Sequence, residues 1–372
     1  MTLYIILFTF STVLALLDFT KIKQINKIGI GIIFSSLLVL LSGIRWKTGT
    51  DWDMYYYFFS ASNTLNDFIS NDVNNQGIEF GYGIVNYITK FIFGDYNFLL
   101  MIVSGVIIGV KCRLFFKYSP FFLVAIFANF STYLGDIFFI RQNFALAMTL
   151  LSFDFILKKK KIHFCSFIFL AASIHTSALI FLPAYWIYYY RMTFKRMISV
   201  VAFFICISIF KFNTEILMWI MDIFSSEDGK IFQKLHAYYI LNMQGKNFGQ
   251  AIDSNTRIII ASLRRIVFLP VFLAVYRIKF WDNEMYTGIL NLVIFGHLLF
   301  FFVSGIGMDF AGRLTLYYYI YEILLMTYII KIGTGWIEKG IIFFIIFVYS
   351  FMKYFYLIYS LGEYYIPFNT FL

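Results

Sequence analysis

Charge is scarce in this chain, and the scarcity excludes a water-soluble domain of ordinary size. Only 13% of the 372 residues are charged, while 61% are hydrophobic and 22% aromatic. No hydrophilic stretch exceeds about 45 residues. That is the composition of a polytopic membrane protein. Cysteine is nearly missing as well: Cys112, Cys165 and Cys206 form no CxxC and no Cys/His pair of metal spacing. A disulfide framework and a zinc site are therefore not expected, nor is any other metal or cofactor. Neither GxxxxGK[ST], GxGxxG nor HExxH occurs, which argues against nucleotide-driven chemistry. The first apolar run, TLYIILFTFSTVLALL, has no basic n-region and no A-x-A cleavage site, so it reads as a retained helix.

What the chain does have is apolar runs. They fall near 2–17, 28–44, 97–110, 119–135, 138–157, 162–174, 177–190, 197–212, 258–276, 286–304, 314–331 and 340–360. The reading is an all-α protein of about twelve transmembrane helices crossing a ~30 Å hydrocarbon core, as one domain over residues 1–372. Two long loops interrupt the pattern, at about 45–96 and 213–256. The first is too polar to span, and its amphipathic stretch 80–93 predicts a helix lying in the interface or a re-entrant turn. The second, with Glu215, Asp222, Glu227, Asp228, His236 and Asp253, reads as a cap. The runs either side of His175 are short and flank SIHTSA, which predicts a broken helix in protein or against a wet cavity.

The few charges are unevenly shared. Alternate flanks collect Lys21, Lys23, Lys27; Lys111, Arg113, Lys117; Lys158 to Lys161; Arg191, Lys195, Arg196; Arg277, Lys279; and Lys331, Lys339. Positive residues mark the cytoplasmic side, so both termini and the two long loops are expected outside. The net charge of +10 is then a topology signal next to anionic lipid heads, and no nucleic-acid partner is implied. The basic residues left on the outer side, Arg45, Lys47, Lys90, Arg141, Lys230, Lys234, Lys246, Arg257 and Arg313, need another reason to be there.

Several of these stand in suggestive company. In GIRWKTGTDWDMY, Arg45 offers a planar fork of donors suited to phosphate, and Asp51 an acceptor or base. Trp46, Trp52 and Lys47 read more simply as interfacial anchors, and Tyr55 belongs to the same aromatic belt. Glu79 follows in the same loop. Arg141 opens the crossing FFIRQNFALAM, where free backbone N–H groups and the positive helix end disfavour a cation unless an anion offsets it. Arg264 and Arg265 lie inside an apolar run below Arg257. A cation at that depth faces a cavity or has a partner, and Glu322 is the alternative structural one. Arg313 follows Asp309-Phe310-Ala311-Gly312, and the His175 imidazole titrates near neutral pH, as a base for a hydroxyl must. Arg45, Glu79, Arg141, His175 and Arg313 are expected within one outward-facing cavity, inside a ~15 Å sphere.

Taken in order, these pieces resemble a known family. GIRWKTGTDWDMY is similar to the R-x-x-x-G-T-D-Y motif of EpsG-like, Wzy-type polysaccharide polymerases, EFGYGIVNYI to their Glu-Pro-Gly-Phe/Tyr segment, FFIRQNFALAM to their Arg-Gln-x-x-Ala helix and SIHTSALIFLP to their His-x-Ser-Ala break. A weaker likeness lies at AGRLTLYY. Trp52 stands where the family often has Tyr, and Phe80 replaces a proline. The resemblance implies a GT-C-like glycosyltransferase polymerising undecaprenyl-pyrophosphate-linked repeat units into O-antigen, capsule or exopolysaccharide at the periplasmic face. Its partners would be those lipid-linked glycans and membrane lipids, with room for a chain-length regulator. Asp51, His175, Arg141 and Arg313 would serve catalysis; Arg45, Glu79, Tyr55, Arg257, Arg264 and Arg265 would hold substrate. A lipid-linked oligosaccharide flippase or an O-antigen ligase is the alternative.

Overall fold

The computed structural model describes residues 1–70, 77–223, 237–240 and 252–371. Among them the secondary structure is helical apart from an isolated antiparallel bridge between Arg45 and Thr370. Seven helices among the described residues are long and apolar enough to cross a membrane: Thr2–Phe19, Gln24–Ile44, Tyr96–Tyr118, Ile140–Leu157, Ser254–Phe280, Glu284–Val303 and Trp336–Ser360. An eighth is counted if Phe194–Ile209 and Phe212–Trp219, bent by 80°, form one span. This is a polytopic membrane protein.

Other predicted crossings come out shorter or more polar than the hydropathy reading implies. The run at 119–135 holds an 11-residue helix, Phe122–Thr132, which at 1.5 Å per residue covers about half the hydrocarbon core. The run at 162–174 becomes the 14-residue Lys161–Ile174 helix. At 177–190 there is a 3-10 turn, Thr176–Phe181, and a six-residue helix, Ala184–Tyr189. Met308–Ile330 has the length, at 23 residues, but carries Asp309, Arg313, Glu322 and five tyrosines. The first long loop folds into three short helices, Trp52–Ala61, Leu65–Ser70 and Phe80–Phe93. In the second loop, Glu227, Asp228 and His236 lie outside the described residues, as do Lys230, Lys234 and Lys246.

The chain, read from sequence as one domain, gathers into two compact units: Met1–Leu182 with Met326–Leu372, and Pro183–Leu325. In the first unit Phe8 packs against the rings of Phe127, Phe347, Phe351, Tyr354 and Phe355 at 5.0–5.8 Å. The Asp18 carboxylate accepts from the N–H groups of Leu123 and Val124 at 2.7 and 3.0 Å, where the positive end of the Phe122–Thr132 helix favours an anion. Lys111, sorted by its sequence position with the cytoplasmic flanks, is 1% exposed and paired with Asp136. The Tyr96–Tyr118 helix runs on past residue 111, so the lysine sits within the bundle and not in a loop. Its ammonium also lies 4.8 Å from the Tyr133 ring, and Asn129 donates to Asp136 at 2.8 Å. One helical turn on, Arg113, Lys117 and Tyr118 converge on Asp154.

In the second unit, Phe300, Phe301, Val303 and Ala311 form a buried apolar cluster. Asn213, at the bend of the 80° pair, donates to the Phe301 carbonyl at 3.0 Å. Asn291 reaches the carbonyls of Ile187, Tyr188 and Tyr190 at 2.6–3.4 Å. These bonds satisfy backbone groups that short or broken helices leave open, as a low-dielectric setting requires.

Candidate functional site

Glutamate is an unusual residue to begin a helix, and Glu79, just before Phe80–Phe93, makes no cap to its own backbone. Its carboxylate turns elsewhere. Oε2 accepts from Arg141 Nη1 at 2.9 Å, while Oε1 accepts from the Thr176 N–H at 3.0 Å and its hydroxyl at 3.1 Å. One carboxylate thus joins three element ends: the start of Phe80–Phe93, the start of Ile140–Leu157, and the break after Lys161–Ile174. Two glycines permit the approach. A Cβ on Gly81 would stand 2.8 Å from the Ser173 carbonyl, and one on Gly83 would strike the Phe68 carbonyl.

Arg141 is held on a second side as well. Its Nη1 also lies 3.3 Å from the Gly77 carbonyl, and its guanidinium carbon lies 5.6 Å from the Tyr55 ring. Its buried Nε has no hydrogen-bond partner among the described residues. Asp51 is close enough to act electrostatically on both Arg141 and Arg45. Behind them, Asn143 pins the helix start by donating to the Tyr133 hydroxyl at 2.7 Å and to the Gly135 and Phe139 carbonyls.

His175 stands in the predicted break, with extended backbone at φ −154°. Its Nδ1 accepts from the Ser177 N–H at 3.3 Å and lies 2.7 Å from the Ser177 hydroxyl. A backbone N–H can only donate, so the neutral ring carries its proton on Nε2. In that tautomer Nε2 is a donor and not an acceptor.

Arg45 is walled in rather than open. It is 1% exposed, donates to the Thr48 carbonyl at 2.6 Å and lies 5.8 Å from the Phe138 ring. Burial pulls its guanidinium below the ordinary arginine value. The turn enclosing it needs Gly49, whose φ is +112° and whose Cβ would sit 2.7 Å from Arg45 Nη1. A tail closes the turn: Trp46 N–H donates to the Asn369 carbonyl and Gly49 N–H to that of Tyr364, each at 2.9 Å. Trp52, an anchor on the sequence reading, is 2% exposed and stacked on Tyr56 at 4.8 Å. It packs the unit's interior instead.

Sequence reasoning missed Thr176 and Tyr82. Tyr82 is fully buried beside Tyr55, ring centroids 5.6 Å apart. Its hydroxyl has no hydrogen-bond partner among the described residues, and burial holds it well above the usual phenol range. The EFGYG segment carried that signal, since a polar ring between two glycines points to close packing.

The other candidates belong to the second unit. Arg257 pairs with Asp309 at 2.6 Å, and Arg264 with Glu322 at 3.3 Å. Arg265 lies on the Phe300 ring at 3.5 Å. Arg313 is exposed, with its guanidinium carbon 5.7 Å from the Tyr238 ring.

Long apolar helices and an acid–arginine bridge joining a loop helix to a membrane helix define a class, the multi-span membrane protein with a polar site at its helix ends. The chain belongs to the EpsG family, whose model matches residues 28–370. No curated protein and no solved structure matches it.

Proposed function

We propose that this protein is a membrane glycosyltransferase that polymerises undecaprenyl-pyrophosphate-linked oligosaccharide repeat units into O-antigen, capsule or exopolysaccharide. The work is done at the periplasmic face of a bacterial inner membrane, by a GT-C-like protein of about twelve crossings with both termini outside. The observation that carries the reading is the Glu79–Arg141–Thr176 bridge, within a chain of the EpsG family.

The chemistry is a displacement at the anomeric carbon of the donor. A hydroxyl oxygen on the non-reducing sugar of the acceptor bonds to C1 as the C1–O bond to pyrophosphate breaks. The growing glycan passes to the acceptor, the hydroxyl proton passes to Asp51, and undecaprenyl pyrophosphate leaves with the bonding electrons. Arg141 neutralises the charge that builds on the leaving group, an effect strongest where water is excluded. Glu79 holds Arg141 in register, and the Tyr55 ring lies against a sugar face. His175, through Nε2–H, orients the acceptor.

A glycan gel from a deletion strain tests the reading. Loss of a polymerase leaves one repeat unit attached to its final acceptor. Loss of a ligase leaves none, and loss of a flippase traps units in the cytoplasm, so either of those patterns would sink the proposal.

A further inference from the structure

The Phe80–Phe93 helix is built inside out. Its small and polar residues Tyr82, Gly83, Asn86 and Thr89 are buried against the protein, while Phe80, Ile88, Phe91, Ile92 and Phe93 are exposed, Phe91 to 81%. Asn86 and Thr89 donate within the helix, to the Tyr82 and Val85 carbonyls at 2.8 Å each. Lys90, the only charged residue of this stretch, turns away from the apolar face. Its ammonium donates to the carbonyls of Phe59, Ser60 and Ser62 at 2.6–2.9 Å. In water, a helix that buries its polar side and exposes this face would run against the hydrophobic effect.

Both ends of this helix are fixed at one end of the first unit's bundle. Arg113 and Lys117, late in Tyr96–Tyr118, converge on Asp154, late in Ile140–Leu157. Those two spanning helices therefore run in the same direction, and their first residues lie at the same membrane boundary. Glu79, just before Phe80, is bonded to Arg141 at the start of one of them. At the far end, Gly94, left-handed at φ +69°, and the Asp95 cap turn the chain directly into Tyr96 at the start of the other. Fourteen residues make a helix about 21 Å long, too short for a ~30 Å core. With both ends at one boundary, it lies along that boundary. Its exposed face also continues the flank of a spanning helix: Phe93 stacks on Phe98 at 4.9 Å, and Phe98 and Ile102 are exposed.

We propose that Phe80–Phe93 lies in the plane of the membrane interface, with Phe80, Ile88, Phe91 and Ile92 sunk among lipid acyl chains. The partner of the apolar face is the bilayer itself, and the re-entrant turn is set aside. Interfacial helices bury such a face by ~5–10 Å. Because Glu79 stands at the head of this helix, its bonds to Arg141 and Thr176 are held at the depth of the lipid head groups. The placement rests on the spanning helices of the first unit and stands whether or not the chain transfers sugars.

The test uses the full chain carrying Cys112→Ser, Cys165→Ser and Cys206→Ser, reconstituted in phosphatidylcholine–phosphatidylglycerol vesicles. A nitroxide is attached in turn to Phe80→Cys, Phe91→Cys and Ile92→Cys. Its collisions with oxygen, which partitions into lipid, and with a water-soluble nickel chelate are read by power saturation. Labels at Ile102 and Lys160 give the lipid and water references. Oxygen should prevail over nickel at all three positions, as at Ile102, and Phe80 and Phe91 should report the same depth. A helix dipping into the core would separate those two by up to about 16 Å. Nickel prevailing as at Lys160, such a difference in depth, or protection from both reagents by a second copy of the chain would overturn the proposal. Phe91 and Ile92 are read separately, so loss of fold in one variant leaves the other decisive. Because the readout is depth, a failure here is separate from a failure of the polymerase reading.

Discussion

Arg141 poses a question of charge against shape. If its fork holds an oxyanion, Arg141→Lys keeps the charge and loses the planar donor pair. Polymerisation should fall sharply while the protein still accumulates in the membrane. Arg141→Ala should be at least as severe, on the order of 2.7–4 kcal/mol or a hundredfold or more in rate. Full-length glycan from a well-expressed Arg141→Ala variant would remove the residue from the mechanism. A cycle of Glu79→Gln with Arg141→Lys should be non-additive by roughly 0.5–3 kcal/mol, since the two share one bridge. Additive losses would mean that Glu79 does not act through the arginine.

Lys111 and Asp136 are the opposite case, a pair whose work is structural. Both are nearly enclosed, with side-chain exposures of 2% and 8%. Removing one partner strands a buried charge, a loss of about 3–5 kcal/mol by comparison with other buried pairs. Lys111→Met alone should therefore lower the thermal midpoint more than the Lys111→Met, Asp136→Leu double variant does. Equal midpoints would show that Asp136 finds another partner. Nothing in sequence joins residues 25 apart, and counting cations by loop places Lys111 at a surface. The stray outer cations Arg141, Arg257 and Arg45 were legible as anomalies, because each breaks the loop bias. Their partners were not; only for Arg264, deep in an apolar run, did the sequence point to one, Glu322.

At the level of elements, the Phe80–Phe93 helix concentrates what hydropathy cannot see. Tyr82, Gly83, Asn86 and Thr89 face inward, while Phe80, Ile88, Phe91 and Ile92 are exposed, and so its amphipathic period was readable. Lys90, another stray cation, donates to the carbonyls of Phe59, Ser60 and Ser62 and closes the end of Trp52–Ala61. Both glycines of the helix are contact points, and Gly81 is the informative one. Gly81→Ala must push the helix from Ser173 and lengthen the Glu79–Thr176 bonds, so polymerisation should drop with little change in protein level. Normal glycan from that variant would show the bridge to be dispensable. The break at His175 was readable from two short apolar runs around small polar residues. The short Phe122–Thr132 helix was not, because hydropathy counts apolar side chains and is blind to where backbone hydrogen bonding stops.

For the whole molecule, orientation is the claim that all else in the proposal leans on. Cysteines placed at Asn74 and Asn247, both outside the described residues, should react with an impermeant thiol reagent applied to the periplasm. One at Lys160, beside the basic run after Ile140–Leu157, should not. Labelling at Lys160 in intact cells would invert the molecule and move the Glu79–Arg141 bridge to the wrong side for a carrier-linked substrate. Fold class was legible because apolar length and charge bias are sums over many residues. The division into two units was not, since it depends on which helices touch.

The strap across Arg45 carries a consequence for time. Its two halves, the 45–49 turn and the tail near Asn369, are separated by 321 positions. At ~5–20 residues per second of synthesis, the turn waits about 16–64 s for its closing strand. During that interval the N–H groups of Trp46 and Gly49 lack the carbonyl partners that the tail brings. Maturation of this corner is therefore a late event, governed by the clock of the ribosome rather than by the helices around it.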